Sequence, residues 1–505
     1  MTPLLHTEAG KMLNSTYIWY DYFSIPQIPG QAKEAAISSI PAYIEKCKYL
    51  FVLVPSLKHC DLPKVVNRGT WQERGWCRLE QTIFSLTRTS TETSAAIFIH
   101  HAGFVQESVP MQWLYALPHH GEFTSEDDRS VIESMIGKFA QDRLQRLQCV
   151  EDKGFEWLFM QAVTRFIRSD FPVPTDLEAW LTLFHFKTNT DAGATETGWQ
   201  PIHFAAAQGN LEILSALVKA GVDVNSRTLE SVDFIMGGSG LSALMVAASY
   251  IPDKATNLQT VKHLLHLKAD ISARNDAGQQ VVHCAALGPA AAESLHHLLT
   301  LGAEVDARDN SGETPLHCAS PVHATSSIAR YENIEVLLRA GADPMAVGGP
   351  LGATPWHLIG TGAPSIIKTF LAYGADPNLQ LSPDPSREAT KLEIGQYENA
   401  NIAAAWAVHG DGFTPLMFAV WLGNWEVAEV MLQHGADPEL RTATGRTAWD
   451  WLYQAKVFSG PTYDTLVKYS KRHYSTQTTV ATEAEISLTE SSESALQGPC
   501  TQLHV

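Results

Sequence analysis

Residues 311–319 read Ser-Gly-Glu-Thr-Pro-Leu-His-Cys-Ala, and residues 333–343 read Asn-Ile-Glu-Val-Leu-Leu-Arg-Ala-Gly-Ala-Asp. The first segment predicts a turn and a short helix, because Thr314 can accept a hydrogen bond from a free amide and Pro315 suits the first helical position. The second segment predicts an apolar helix that ends at Gly341, where a left-handed backbone costs glycine little. Related segments recur between Gly198 and Asp450, so half of the 505-residue chain is a repeat array.

The array contains seven copies with unequal spacing. Its fourth motif positions are His203, Met245, His283, His317, His357, Met417 and Asp450, at intervals of 42, 38, 34, 40, 60 and 33 residues. The longer intervals predict insertions near residues 229–239 and 379–410. Because the remaining pattern is regular, we expect one stack of helix pairs over residues 198–457.

The pattern resembles the ankyrin repeat, whose period is about 33 residues. The resemblance implies an all-α solenoid whose extended surface binds protein partners. It also implies that the motif histidines bridge backbone and threonine groups of neighbouring repeats. These are His203, His283, His317 and His357. Their spacing places each in a different layer of the stack, which disfavours a shared metal or catalytic site.

Composition excludes some functional classes. A formal net charge of −18 and a pI near 5.5 disfavour a general nucleic-acid binder, which needs a basic face. Seven scattered cysteines without a CxxC pair indicate reduced thiols. No apolar run approaches a membrane span, and the first residues lack the pattern of a signal peptide. We therefore expect a soluble, cytoplasmic protein.

The N-terminal third alternates between predicted strands and helices, which indicates an α/β domain over residues 1–170. Residues 17–23 are aromatic and favour a strand. Residues 49–54 are an uninterrupted apolar run, as expected of a parallel strand buried on both faces. Prolines at 172 and 174 mark the start of a predicted linker over residues 171–197. Residues 458–505 are assigned to a terminal cap and a disordered tail, which has no Lys or Arg after Arg472.

Residues 70–80 read Thr-Trp-Gln-Glu-Arg-Gly-Trp-Cys-Arg-Leu-Glu and follow the apolar run by one loop. With the segment from Asp21 to Gly30, they resemble the Toll/interleukin-1 receptor (TIR) family, which carries a Trp-Cys-x-x-Glu segment at this place. The resemblance implies a flavodoxin-like fold that lacks its first strand, since only sixteen residues precede Tyr17. In members that cleave NAD the segment's glutamate is catalytic, and it maps to Glu80. An ion pair of Glu80 with Arg74 or Arg78 is the alternative.

Two functions follow as hypotheses. The first is an intracellular adaptor or scaffold in signal transduction, whose repeats bind a protein partner and whose TIR-like domain serves signalling or assembly. The second is a TIR-type NAD hydrolase that its repeats target or regulate. We expect no metal and no cofactor, with NAD as a substrate only in the second case. We expect no nucleic-acid partner and no membrane span.

The predicted partner surface comprises the repeat turns and the groove beside the first helices. A negative rim on it consists of Asp343, Asp376 and Asp437. Three tryptophans at positions usually held by smaller residues are candidate anchors, and packing between repeats is their alternative role. They are Trp356, Trp421 and Trp425.

Overall fold

The N-terminal region combines a small mixed sheet with helices. The computed structural model describes residues 31–54, 57–58, 65–88, 95–101, 104–107, 112–123, 125–148, 154–168, 170–190, 197–230, 238–320, 331–349, 352–361, 363–382, 410–454 and 468. The helices up to residue 190 are α1 (Gln31–Lys46), α2 (Arg68–Glu73), α3 (Gly75–Leu86), α4 (Asp127–Gln148), α5 (Phe155–Val163) and α6 (Leu177–Leu183). The strands are β1 (Tyr49–Leu53), β2 (Leu57–Lys58), β3 (Val65–Val66), β4 (Ala95–His101) and β5 (Phe104–Glu107).

Strand order does not show the TIR-like fold. β1 pairs with β4 in parallel, β4 pairs with β5 antiparallel, and β2 and β3 form a separate antiparallel ribbon. A flavodoxin-like fold implies a doubly wound, mostly parallel sheet. The described strands form a three-stranded mixed sheet and a two-stranded ribbon instead. The predicted strand at 17–23 lies outside the described residues. The TIR-like assignment therefore stays a prediction.

β1 is buried on one face only, so the prediction of two covered faces is wrong. Val52 and Val54 are buried together with Phe98 of β4, against which Trp71 of α2 packs edge-on at 5.4 Å between ring centroids. On the opposite face Phe51 is 53% exposed and Leu53 is 61% exposed. Successive side chains of a strand point to opposite faces, and an apolar run alone does not specify whether both faces have a cover.

Helix pairs build the rest of the chain. The first helices of the repeats are α7 (Pro201–Gln208), α9 (Ala243–Tyr250), α11 (Val281–Leu287), α13 (Pro315–Ala319), the 3-10 helix His357–Thr361 and α16 (Pro415–Trp421). The second helices are α8 (Leu211–Lys219), α10 (Lys254–His266), α12 (Ala292–Thr300), α14 (Tyr331–Arg339), α15 (Pro364–Ala372) and α17 (Trp425–Gln433). A further first helix, α18 (Ala448–Gln454), follows. First helices contact first helices and second helices contact second helices along the stack.

The stack begins earlier than the sequence predicts. α5 packs against α7 and α6 against α8, as a preceding helix pair would. Trp180 of α6 is fully buried, and its Nε1 donates to Gln208 Oε1 at 2.7 Å. The linker assignment for residues 171–197 is therefore wrong over Leu177–Leu183. Its prolines interrupt the helical pattern, but the apolar residues that follow continue the core.

The N-terminal region and the repeats share one apolar core. Phe159 of α5 lies with its ring 6.1 Å from that of Trp199 and 5.6 Å from that of Tyr250. Buried residues from α1 to α18 belong to the same cluster. A second contact reaches the sixth repeat, where Asn67 Nδ2 donates to Glu426 Oε2 at 3.2 Å. Residues 1–170, predicted as an α/β domain, thus share most of their buried apolar residues with the repeats, while Val52, Val54 and Phe98 form a separate small cluster.

Other sequence predictions fall wholly or partly outside the described part of the chain. The insertion near 229–239 is described except for 231–237, and the one near 379–410 except for 383–409. Beyond residue 454 only Lys468 is described. Within the described ranges, no helix is both long and apolar enough to cross a membrane.

Candidate functional site

The motif histidines connect successive repeats through backbone groups. Their Nδ1 atoms accept the amide N–H of the residue three positions earlier, at 3.0 Å for His203, 3.1 Å for His283 and 3.0 Å for His317. A neutral imidazole whose Nδ1 accepts a hydrogen bond carries its proton on Nε2. The Nε2 atoms then donate to carbonyls further along the array, those of Ser226, Glu313 and Ala353 respectively. The predicted structural role is confirmed for these three side chains.

The fourth histidine has the same role. His357 Nδ1 lies 2.7 Å from Thr354 Oγ1, and its Nε2 lies 3.2 Å from the carbonyls of Leu379 and Phe413. All four rings are fully buried. In the described ranges, no three His, Cys, Asp or Glu side chains are grouped so that they could hold a metal ion.

Burial lowers the pKa of His203 to about 4, because a charged ring would lose its hydration. Histidine in an unfolded chain has a pKa of about 6.5. The unfolded state therefore binds the proton first, and the stability that neutral His203 contributes above pH 6.5 is lost as the pH falls towards 4. The difference of about 2.5 units corresponds to about 3 kcal/mol.

We expect His203→Gln to unfold with a weaker pH dependence than the wild-type chain between pH 6.5 and 4.5. The variant is less stable at neutral pH but has no ring to protonate. Urea unfolding of both chains across this range measures the difference. Equal slopes of unfolding free energy against pH would contradict the assigned protonation state.

An exposed row of carboxylates runs along the array. Each member lies in the turn after a second helix, where the repeat ends in Gly-Ala-Asp or a variant of it. We call this set the acidic row: Asp223, Asp270, Glu304, Asp343, Asp376 and Asp437. Asp437 is half-buried and the others are exposed. Only the last three are predicted above as a negative rim, although the same turn position identifies the rest.

Hydrogen bonds fix the orientation of these carboxylates. Asp343 Oδ1 accepts the amide of Met345 at 2.8 Å. Asp376 and Asp437 accept the amides two residues on at 2.9 Å each. An aspartate that binds its own turn in this way holds one rotamer. These three members of the acidic row are therefore oriented charges rather than freely rotating side chains.

Bonds between repeats fix the spacing of the row. The Asp343 amide donates to both carboxylate oxygens of Asp306 at 3.2 Å. The Asp437 amide donates to Asn378 Oδ1 at 2.7 Å, and the Asp270 amide donates to Asn225 Oδ1 at 2.8 Å. Burial, together with the nearby charge of Asp343, raises the pKa of Asp306. These bonds join three pairs of neighbouring turns: those of Asp223 and Asp270, of Glu304 and Asp343, and of Asp376 and Asp437.

The predicted groove beside the first helices is wrong as a binding surface. All residues of α7, α9 and α16 are buried, including Phe204, Val246 and Phe418. In these three described helices the side chains belong to the core, so they offer no exposed contacts to a partner. The acidic row lies in the turns after the second helices, and His203 and His357 bind carbonyls of two of these turns, those of Ser226 and Leu379.

The three tryptophans are buried, which agrees with their alternative role in packing. Trp356 has no exposed surface, stacks on Phe370 with centroids 5.6 Å apart and donates from Nε1 to the Asp376 carbonyl at 2.7 Å. Trp421 and Trp425 are 9% and 7% exposed. Exposed anchors are therefore excluded, because each side chain in a stack has a neighbouring repeat to pack against. Trp356 instead supports the turn that carries Asp376.

Glu80 lies half-buried in the middle of α3. Arg78, named as a possible partner, donates to the carbonyls of Gln72 at 2.5 Å and Leu117 at 3.2 Å. Trp76 Nε1 donates to Asp128 Oδ2 at 2.9 Å, which ties α3 to α4. These contacts give α3 a role in packing. A catalytic role for Glu80 stays a prediction.

Comparison with protein families decides what the stack is. A family model described as ankyrin repeats, in three copies, matches residues 176–275 and 244–348, and a model of the single ankyrin repeat matches residues 411–443. These residues are ankyrin repeats. The match from residue 176 includes α6, in agreement with the early start of the stack.

Two solved ankyrin domains are similar to the chain. The human ASB11 ankyrin repeat domain shares 21% identity with a TM-score of 0.37, over 54% of this chain and 99% of its own. The ankyrin repeat domain of Bcl-3 shares 22% identity with a TM-score of 0.36, over 54% of this chain and all of its own. No curated protein was found to match the sequence.

Proposed function

We propose that this chain is a cytoplasmic adaptor or scaffold whose acidic row binds a basic protein segment. Ankyrin repeats imply protein–protein interaction, and the row supplies the chemistry of recognition. The observation that carries the proposal is the fixed orientation of Asp343, Asp376 and Asp437 at the spacing of the repeats. Preorganised charges bind without the entropy cost of ordering each side chain.

Charge complementarity supports a Lys- or Arg-rich partner. Consecutive turns are about 10 Å apart, the usual spacing of packed helices. An extended peptide covers that distance with three residues. We therefore expect a segment with a basic residue at about every third position to lie along the row. The net charge of −18 adds long-range attraction for it.

For the N-terminal region we propose a role in signalling or assembly, as the TIR resemblance implies. The exposed face of β1, with Phe51 and Leu53, supports this role because solvent-exposed apolar side chains on a strand favour association. The region is fixed to both ends of the array, through Phe159 and through Asn67. It would therefore be presented in a constant orientation to whatever the repeats bind.

Selection from a phage-displayed random peptide library tests the proposal. We expect Lys- and Arg-rich peptides on the wild-type chain, and loss of their binding on the triple variant Asp343→Lys, Asp376→Lys, Asp437→Lys. A matched control reverses three exposed carboxylates elsewhere, at Glu45, Asp127 and Glu178. Enrichment of neutral or acidic peptides, or equal binding to both variants, would contradict the proposal.

The alternative function, NAD cleavage by Glu80, has a separate test. We expect no release of nicotinamide from NAD by the wild-type chain, because the described sheet has one pair of parallel strands, β1 and β4, and not the doubly wound arrangement whose switch in strand order forms a nucleotide site. Chromatography of the reaction products measures the release. Cleavage by the wild-type chain that Glu80→Ala removes would establish the enzyme instead.

A further inference from the structure

The outer face of the array carries a groove that the proposed function does not use. It has a volume of about 820 Å³ and lies across the second helices α10, α12 and α14. Its apolar floor includes Leu258, Leu299 and Val336. Because these helices belong to three successive repeats, the groove exists only in the assembled stack.

The charged residues that line this groove are mainly cationic. Lys262 and Arg339 line it together with His296 and His297, against a single carboxylate, Glu293. Burial, followed by the charges of Lys262 and His296, lowers the pKa of His297, so these side chains lie near one another. The whole chain has a net charge of −18, whereas the groove has more cations than carboxylates. This local excess of positive charge favours an acidic occupant.

Arg339 already has an ion pair, with Glu335 at 2.6 Å on the same helix. The two side chains are 67% and 49% exposed. Exposed pairs of this kind contribute little free energy, at most about 1 kcal/mol. The guanidinium, which has five N–H donors, can therefore bind a further carboxylate.

The C-terminal segment of the chain has the matching composition. Residues 473–505 contain no Lys or Arg, and residues 481–497 contain four glutamates around Ile486 and Leu488. The glutamates are Glu483, Glu485, Glu490 and Glu493. Lys468 lies with its Nζ 3.9 Å from Glu429 Oε1 of α17. The chain thus leaves the array at a second helix, in the same row of helices as the groove.

The connecting chain is long enough to reach the groove. From α17 the row passes through α15 and α14 to α12, three steps of about 10 Å each. Residues 468 to 483 are 15 residues apart, which span up to about 50 Å when extended. Tethering two sites over this length gives an effective concentration in the millimolar range.

We propose that residues 481–497 bind in the groove of the same molecule. The tail glutamates pair with Lys262 and Arg339, and Ile486 and Leu488 cover the apolar floor. This proposal depends on the groove and does not depend on the acidic row.

Zero-length carbodiimide cross-linking of the full chain tests whether residues 481–497 lie in the groove. The reagent joins amines to carboxylates in contact, and mass spectrometry identifies the peptides. We expect links from Lys262 to the tail glutamates. We expect none from Lys368, an exposed lysine of α15 outside the groove. Links at Lys368 as frequent as at Lys262, or no tail links at all, would overturn the proposal.

Binding in trans gives an independent measurement. A fluorescent peptide of residues 481–497 should bind the full chain carrying all four Glu→Gln tail changes at least tenfold more tightly than the unaltered chain, whose own tail competes. In that background Lys262→Glu with Arg339→Glu should weaken binding at least tenfold, and Lys368→Glu should not. Equal affinity for the unaltered chain and for the chain with the four tail changes would exclude binding in cis. Equal affinity for the Lys262→Glu, Arg339→Glu variant and for the Lys368→Glu variant would exclude the groove as the site. A groove that binds acidic peptides of other sequence and not this one would assign it to a partner protein.

Discussion

Phe159→Ala should lower the free energy of unfolding of the whole chain by about 3 to 5 kcal/mol, the usual cost of truncating a core phenylalanine. Phe159 belongs to α5 and has no exposed surface. Its ring packs against those of Trp199 and Tyr250, which come from the first two repeats. The truncation leaves a cavity where the N-terminal region joins the array. We therefore expect destabilisation on both sides of that junction.

Chemical denaturation followed by tryptophan fluorescence measures this loss. Tyr373→Ala is the control, because Tyr373 is 43% exposed at the end of α15 and should change stability by about 0.5 kcal/mol or less. A Phe159→Ala loss no larger than that of the control would contradict the shared core. So would unfolding in which the repeats keep their wild-type midpoint.

Asn333→Leu should destabilise the chain by about 3 kcal/mol or more. Asn333 is fully buried on α14, and its Nδ2 donates to the carbonyls of Ala285, Ala286 and Gly288 at 3.2, 3.1 and 2.9 Å. These carbonyls lie at the end of α11, where helical donors run out. That of Ala285 also accepts the Gly288 amide at 2.9 Å, so the substitution removes the side-chain partner chiefly from Ala286 and Gly288. Leucine has a similar volume and no donor, and each carbonyl left without a bond costs about 1 to 3 kcal/mol.

The control for this substitution is Asn310→Leu. Asn310 is exposed, and its Nδ2 donates to one carbonyl, that of Asp276, at 2.9 Å. We expect a loss below about 1 kcal/mol there, since water can replace the bond. Thermal unfolding of the two variants compares them directly. Equal melting temperatures would contradict the role of Asn333 as the tie between α11 and α14.

The repeat array could be predicted from local signals alone. Thr414 and Pro415 start α16, and Thr414 Oγ1 accepts the Met417 amide at 3.2 Å. Gly341, Gly374 and Gly435 have positive φ angles of 92°, 88° and 90° at the ends of second helices. Such signals depend on a few neighbouring residues, and they recur in each repeat, so errors in one copy are corrected by the others.

The N-terminal region could not be predicted to the same degree, because its packing depends on distant residues. Nothing near Phe51 indicates that one face of β1 is exposed. The prolines at 172 and 174 indicate a break, but the burial of Trp180 depends on Gln208 and on the stack that begins there. Asn333 stands in the repeat motif itself, yet its three acceptors lie more than forty residues earlier in the chain.

One of the candidate binding surfaces could be predicted from the sequence, and the others could not. Asp343, Asp376 and Asp437 could be predicted because the turn after Gly-Ala is exposed in each repeat. The burial of Trp356 could not be decided, since a repeat position does not specify how the next repeat packs. The groove on the outer face combines Lys262, His296 and Arg339 from three repeats. Only the stack brings these side chains together.

The association rate of a library-selected basic peptide, measured by stopped flow at increasing salt, tests the central claim most directly. Exposed charges act over about 10 Å at 0.1 M salt, and they influence association more than dissociation. The account predicts a rate on the wild-type chain that falls steeply between about 50 and 300 mM salt. It predicts a rate at least tenfold lower at about 50 mM salt, without that decrease, on the triple variant at Asp343, Asp376 and Asp437. The same rate and salt dependence on both chains would contradict recognition by the acidic row.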